Sequence, residues 1–114
     1  MHPIYFLSSD SFAPDHRVPP FDDIRVRKAL QMAIDLETIN RIFFKGLANW
    51  TPAGQVGNTH KGFYIPFDEW PEELKKGYMY DTEGAEKLLD EAGLPRGADG
   101  IRFKTSVILG PWNS

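Results

Sequence analysis

The stretch PPFDDIRVRKALQMAID, residues 19–35, together with the residues that follow it to Gly46, leaves the chain little freedom. Asp22 or Asp23 is placed to cap a helix, accepting first-turn N–H bonds and facing the positive end of the helix dipole. Val26, Ala29, Leu30 and Ala33 then recur at i, i+3, i+4 and i+7, with Ile34 at the margin, which predicts one apolar face. Arg25, Lys28 and Gln31 fall mostly on the other side. Asp35 caps a second helix from Leu36, on which Leu36, Ile39 and Phe43 share a face with Ile42 beside it. Lys45 suits the negative end of that helix, and Gly46 is a natural stop. Two helices that meet at one aspartate have no loop between them, so the chain must turn a sharp corner there.

The remaining elements are read around this pair. Ile4 to Leu7 is an unbroken apolar and aromatic run that predicts a buried strand, and DSFAPDHRVPP, residues 10–20, reads as a loop. Residues 46–70 are rich in glycine and proline and are punctuated by Trp50, Phe63, Tyr64, Phe67 and Trp70. A loop of that length with so many rings either packs itself down or lines a surface. Pro71 starts a short helical turn that runs to Lys76 and stops at Gly77. Asp81 caps the next helix, whose apolar face is Ala85, Leu88, Leu89 and Ala92, with Glu83 and Lys87 paired at i,i+4. Gly93, Leu94 and Pro95 end it, Leu94 folding back on Leu89 as in a Schellman stop. Ile101, Phe103, Thr105 and Val107 alternate with Arg102, Lys104 and Ser106, which predicts a half-exposed strand. The expected order is β-α-α-loop-α-β, an α/β arrangement without internal repeats.

Composition excludes several classes of function. The 114 residues suit one small domain or a piece of a larger one, and the 41% hydrophobic content supplies a core. Net charge is −3, with 16 acids against 13 bases, so nucleic acid is not an expected partner. Without cysteine there are neither disulfides nor thiolate metal sites. No apolar run approaches the ~20 residues of a membrane span. MHPIYFLSSD has no basic segment and too short an apolar stretch for a signal peptide, so the signal of an exported parent is expected outside this chain.

Catalytic constellations are thin. Ser8 and Ser9 have no sequence-local histidine and read as polar residues at a strand end. His2, His16 and His60 form no metal-ligand spacing, so no metal or other cofactor is expected. GLANWTPAGQVGNTHKG lacks the G-K-[ST] ending of a phosphate loop and reads as turns. Arg25, Arg27 and Lys28 form either a phosphate patch or, beside Asp22 and Asp23, a solvated helix face, and the negative total charge favours the second. Trp50, Tyr64 and Trp70 either line a recognition surface or plug the loop beneath them. With no nucleophile and base together, the chain is not expected to be an enzyme.

Three ordered segments resemble one family. PPFDDIRVRKALQMAID is similar to the P-F-x-D-x-R-V-R-x-A-L-x-x-A-I-D signature of the family-5 extracellular solute-binding proteins, the oligopeptide-, dipeptide- and nickel-binding subunits of bacterial ABC importers. TPAGQVG, residues 51–57, resembles the turn that follows the second helix there, and YDTEGAEKLLDEAGLPRG, residues 80–97, resembles the later helix. The resemblance runs through essentially the whole chain. It implies that residues 1–114 are a single partial domain, the first portion of the C-terminal lobe of a periplasmic-binding-protein type II fold. In such proteins two lobes close on a ligand about a hinge.

The implied function is capture of a peptide or other small solute outside the cytoplasm and delivery to ABC permease subunits. The implied location is periplasmic or extracytoplasmic, with contact to the membrane only through a lipid anchor of the parent or through the permease. IYFLSS stands where the family's strand enters the lobe beside the hinge, so Phe6, Leu7, Ser8 and Ser9 are the expected ligand-binding positions, with Trp50 and Tyr64 after them. The segment DSFAPDHRV is longer than the family's usual link, Ser8 stands where asparagine is common, and Leu36 where a basic residue often follows. A partial lobe is also expected to self-associate, by strand pairing or exchange of its terminal strands. The alternative from another class is a free-standing interaction domain whose partner docks on the aromatic loop, residues 46–70.

Overall fold

The computed structural model describes residues 13–52 and 60–107. Four helices follow one another: α1 (Ile24–Met32), α2 (Leu36–Ile42), α3 (Glu72–Lys76) and α4 (Thr82–Glu91), with a 3₁₀ turn at Phe67–Glu69 before α3. The helix starts follow the sequence reading. Asp23, not Asp22, caps α1, accepting from the Arg25 N–H, while Asp35 accepts from Thr38 and Asp81 from Gly84. α3 begins after Pro71 and ends at Gly77.

The stop of α4 is the expected Schellman motif in full. Gly93 adopts φ +79°, its N–H donates to the Asp90 carbonyl at 3.0 Å, and the Leu94 N–H donates to the Leu89 carbonyl at 2.9 Å. α2 ends earlier than its stop signal. The helix closes at Ile42, and the chain turns through Lys45 (φ +52°) and Gly46 (φ +79°) before the Gly46 N–H reaches back to the Asn40 carbonyl at 2.9 Å.

The core lies between α1 and α4, which run antiparallel. Ala29 and Ala85 meet there with Met32, and Leu88 and Leu89 pack around them. The face of α1 differs from the one its spacing predicts. Val26 (0% exposed), Ala29 and Met32 are buried, whereas Leu30 is half-buried and Ala33 and Ile34 are exposed. α4 crosses α1 over the i,i+3 row that ends at Met32, because Gly84 leaves space there that a side chain would fill: a Cβ on Gly84 would lie 2.8 Å from Met32 Cε. The expected face of α2 is not covered. Ile39, Ile42 and Phe43 stand in solvent, and Asn40 is the buried residue of that helix. Glu83 and Lys87 do not close to an ion pair. Glu86 instead pairs with Arg96 and, at 3.7 Å, with Arg102.

The β elements of the expected order are not seen among the described residues. The first, Ile4–Leu7, lies outside them, as do residues 53–57 of the expected TPAGQVG turn. The last, Ile101–Val107, carries no strand assignment, because alternation makes a strand only where a neighbour completes the ladder. Ile101 and Val107 are exposed, while Phe103 meets Phe21 edge-on at 5.9 Å. Arg102, expected to point outward, is drawn back onto α4 instead. It donates to Asp90 Oδ1 at 2.5 Å and to the Leu94 carbonyl at 2.7 Å, leaving its side chain 11% exposed.

Candidate functional site

An open groove of about 910 Å³ lies between α1, α3, α4 and the link Tyr78–Asp81. Its apolar walls come from Ile24 on α1, Leu74 on α3, Met79 and Tyr80 in the link and Leu88 on α4. Ile24, Leu74, Met79 and Tyr80 are each more than half exposed. Lys28 and Lys87 stand opposite Glu73 and Glu91 on the walls, so the groove carries both signs of charge. A smaller hollow of about 330 Å³ opens against other residues of the same helix pair, between Leu30, Leu89 and Arg102.

Neither space is equipped for bond chemistry. No cluster of histidine and carboxylate side chains suited to a metal ion occurs among the described residues. The perturbed carboxylates serve backbone ends instead. A side-chain hydrogen bond from Arg25, reinforced by the Arg25 N–H, holds Asp23 below the usual carboxylate range, and Asp23 in turn raises Arg25. Thr38 lowers Asp35, chiefly through its backbone N–H. Arg17 lowers Asp15 through its side chain, two residues away, and is itself raised. What the groove offers is apolar contact with a mixed-charge rim, which suits recognition rather than proton transfer.

The basic cluster of α1 is committed to the fold. Arg25 grips Asp23 and donates through Nη1 to the Glu91 carbonyl at 2.7 Å, and Arg27 donates to the Phe21 carbonyl at 2.7 Å. Lys28 faces the groove. The aromatic loop divides in the same way. Trp70 donates from Nε1 to the Ile65 carbonyl at 2.9 Å and meets Phe67 and Tyr78 edge-on at 5.3 and 5.4 Å. It therefore braces the loop from within.

Of the expected ligand-binding positions, Phe6, Leu7, Ser8 and Ser9 lie outside the described residues. Trp50 is 44% exposed and Tyr64 half-buried. The two make no ring contact with each other, and neither lines the groove. Sequence reasoning did not single out the groove residues Leu74, Met79 and Tyr80. Their signal was present: the triplet Tyr78-Met79-Tyr80 sits between a helix stop at Gly77 and a cap at Asp81, so its rings belong to no helix face.

Comparison with known proteins gives this geometry its context. The sequence profile described as "Bacterial extracellular solute-binding proteins, family 5 Middle" matches residues 6–113. Among curated proteins, the chain is 37% identical over 79 residues to the glutathione-binding protein GsiB of Pectobacterium atrosepticum, covering 68% of this chain and 13% of that protein. It is 36% identical over 78 residues to the proteins of the same name from Salmonella typhimurium and Escherichia coli K12, again covering 68% of this chain and 13% of each relative. The matched stretch is thus a small part of the length of these relatives. No solved structure matches the chain. With its helix signatures in order and the profile running almost from end to end, the chain belongs to the family-5 bacterial extracellular solute-binding proteins.

Proposed function

We propose that this chain is part of the substrate-binding component of an ABC importer, which captures a peptide-like solute outside the cytoplasm and presents it to a membrane permease. The observation that carries this reading is the family match over residues 6–113, supported by relatives whose names state that they bind glutathione, itself a short peptide. The component makes and breaks no bond. An extended peptide is held by backbone hydrogen bonds, much as a strand is added to a sheet edge, and its side chains enter hydrated pockets where water completes the polar contacts. Closure of two lobes then shifts the population toward the form a permease recognises.

In this reading Phe6, Leu7, Ser8 and Ser9 line the cleft beside the hinge, with Trp50 and Tyr64 offering exposed or half-exposed rings to the same solute. The protein works in the periplasm or at the outer face of the membrane, held there by an anchor on the parent polypeptide or by the permease. No helix among the described residues is long and apolar enough to cross a membrane.

A chimera tests the reading. Residues 6–113 replace the corresponding stretch of Escherichia coli GsiB, and circular dichroism establishes that the product is folded. Calorimetry with glutathione and with mixed di- to pentapeptides is expected to give micromolar binding to at least one of them, weakened tenfold or more by Ser8→Ala with Trp50→Ala. A folded chimera that binds none of these ligands at millimolar concentration would overturn the assignment. The 114-residue chain alone, lacking an opposing lobe to close on the ligand, is expected to bind the same peptides weakly or not at all.

A further inference from the structure

α2 and the turn that follows it carry an apolar ridge in solvent. Ile39, Ile42, Phe43, Phe44 and Leu47 are 43%, 71%, 77%, 41% and 89% exposed. Taking an aromatic side chain as ~200 Å², these residues leave on the order of 600 Å² of apolar surface in water. That is at the top of the ~300–600 Å² range for the largest patch on a typical monomer. It also approaches the ~800 Å² that each partner contributes to a standard interface.

The ridge is already ordered. Asn40, the buried residue of α2, accepts from the Ala48 N–H through Oδ1 at 3.0 Å and from the Gly46 N–H through its carbonyl at 2.9 Å. The Leu47 N–H donates to the Phe44 carbonyl at 2.9 Å, and Phe43 and Phe44 meet edge-on at 5.0 Å. Helix and turn form one unit, so a partner would not have to order it on binding. The ridge is also free of charge. Glu37 and Arg41 lie one turn apart, and helical spacing sets them on the opposite side from Ile39 and Phe43, with Arg41 turned to the Thr38 hydroxyl at 3.4 Å. Two copies related by a two-fold axis would therefore meet apolar surface on apolar surface with no like charges opposed, which is what an isologous contact requires.

We propose that the α2 ridge is a two-fold interface between two copies of this chain. The self-association expected of it then runs through a helix face rather than through strand pairing, and it does not depend on what solute the chain binds.

Sedimentation velocity of the 114-residue chain between 1 and 100 μM tests this. The expected result is a single species of twice the monomer mass at the upper end. Phe43→Glu and Ile42→Glu, at positions already in solvent, are expected to keep the helical circular dichroism and weaken the dimer at least tenfold. Leu74→Glu, in the groove and off the ridge, is expected to leave the dimer intact. Because the chain has no cysteine, Phe43→Cys supplies a second readout: oxidation is expected to give a disulfide-linked dimer, which Lys28→Cys does not. A monomer at 100 μM, an open polymer, a dimer insensitive to Phe43→Glu, or a dimer lost in Leu74→Glu would each overturn the proposal. The last would show the ridge docking into the groove of another copy.

Discussion

The backbone N–H of Asp81 donates to the carbonyl oxygen of Met32 at 2.9 Å, so a carbonyl at the end of α1 is satisfied by the residue that caps α4. At the other end of the pair, Arg25 Nη1 donates to the Glu91 carbonyl at 2.7 Å. Helix ends carry N–H and C=O groups that the helix itself cannot pair. Here each helix of an antiparallel pair supplies what the other lacks. The consequence is a unit whose register is fixed at both ends as well as by the small residues Ala29 and Ala85 between them.

Gly84 is the point at which this register is tightest. In an exposed helix, glycine to alanine gains about 1 kcal/mol from propensity. At Gly84 the new Cβ would meet the Asp81 carboxylate and lie 2.8 Å from Met32 Cε. Displacing that carboxylate loses the cap, which costs about 0.5–2 kcal/mol, and shifting Met32 disturbs the core. Gly84→Ala is therefore expected to lower stability by about 1 kcal/mol instead of raising it. Urea denaturation followed by circular dichroism checks this, and a rise in midpoint would show that the contact relaxes freely.

Core substitutions separate the observed face of α1 from the one its spacing suggests. Val26 is completely buried, so Val26→Ala is expected to cost about 2 kcal/mol. Leu30 is only half-buried in the described residues, and Leu30→Ala is expected to cost about 1 kcal/mol. The order of the two melting temperatures is the test. A larger loss at Leu30 would mean that another surface covers it in solution.

The local signals of this chain were readable because they act over four or five residues. Asp35 and Asp81 cap where they were expected to, and Gly93 with Leu94 closes α4 as its sequence requires. What a residue packs against is set by elements far away in sequence, and there the reading slipped. The choice between Leu30 and Met32 for the buried row was made by Gly84 on another helix, which no periodicity within α1 reveals. Arg102 looked like the polar half of an alternating strand, yet Asp90 and the Leu94 carbonyl draw it inward. Trp70 was distinguishable from Trp50 only once the Ile65 carbonyl and the Phe67 and Tyr78 rings stood around it. The family, by contrast, was legible early, because its signatures are strings of these same caps and stops in a fixed order.

Arg102 ties the segment after α4 back onto that helix. Its guanidinium serves Asp90 and the Leu94 carbonyl together, with Glu86 at 3.7 Å. A lysine keeps the charge but not the planar fork, so it cannot donate in both directions with the same geometry. Arg102→Lys is expected to cost about 1–2 kcal/mol and to speed hydrogen exchange at Leu94–Arg102 while leaving α1 protected. Equal exchange in both proteins would show that the carboxylates, not the fork, hold the segment.

Acid should loosen the two helix starts that share Asp35 and Asp23. Both carboxyls are held below their ordinary value in the folded chain, Asp23 first by the Arg25 side chain and Asp35 first by the Thr38 N–H. The folded state thus binds protons less readily than the unfolded state. Its stabilisation by these groups is fully present above the unfolded carboxylate value of about 3.9 and is lost as pH falls through the lower folded values. Stability is expected to be insensitive to these residues from pH 7 to about 5 and to decline steeply below about 4. Asparagine caps a helix nearly as well as aspartate but does not titrate, so Asp23→Asn with Asp35→Asn should flatten the acid limb while retaining helix content at pH 7. Thermal melts of both proteins at pH 7, 5, 4 and 3 measure it, and an unchanged slope below pH 4 would assign the acid sensitivity to other carboxylates.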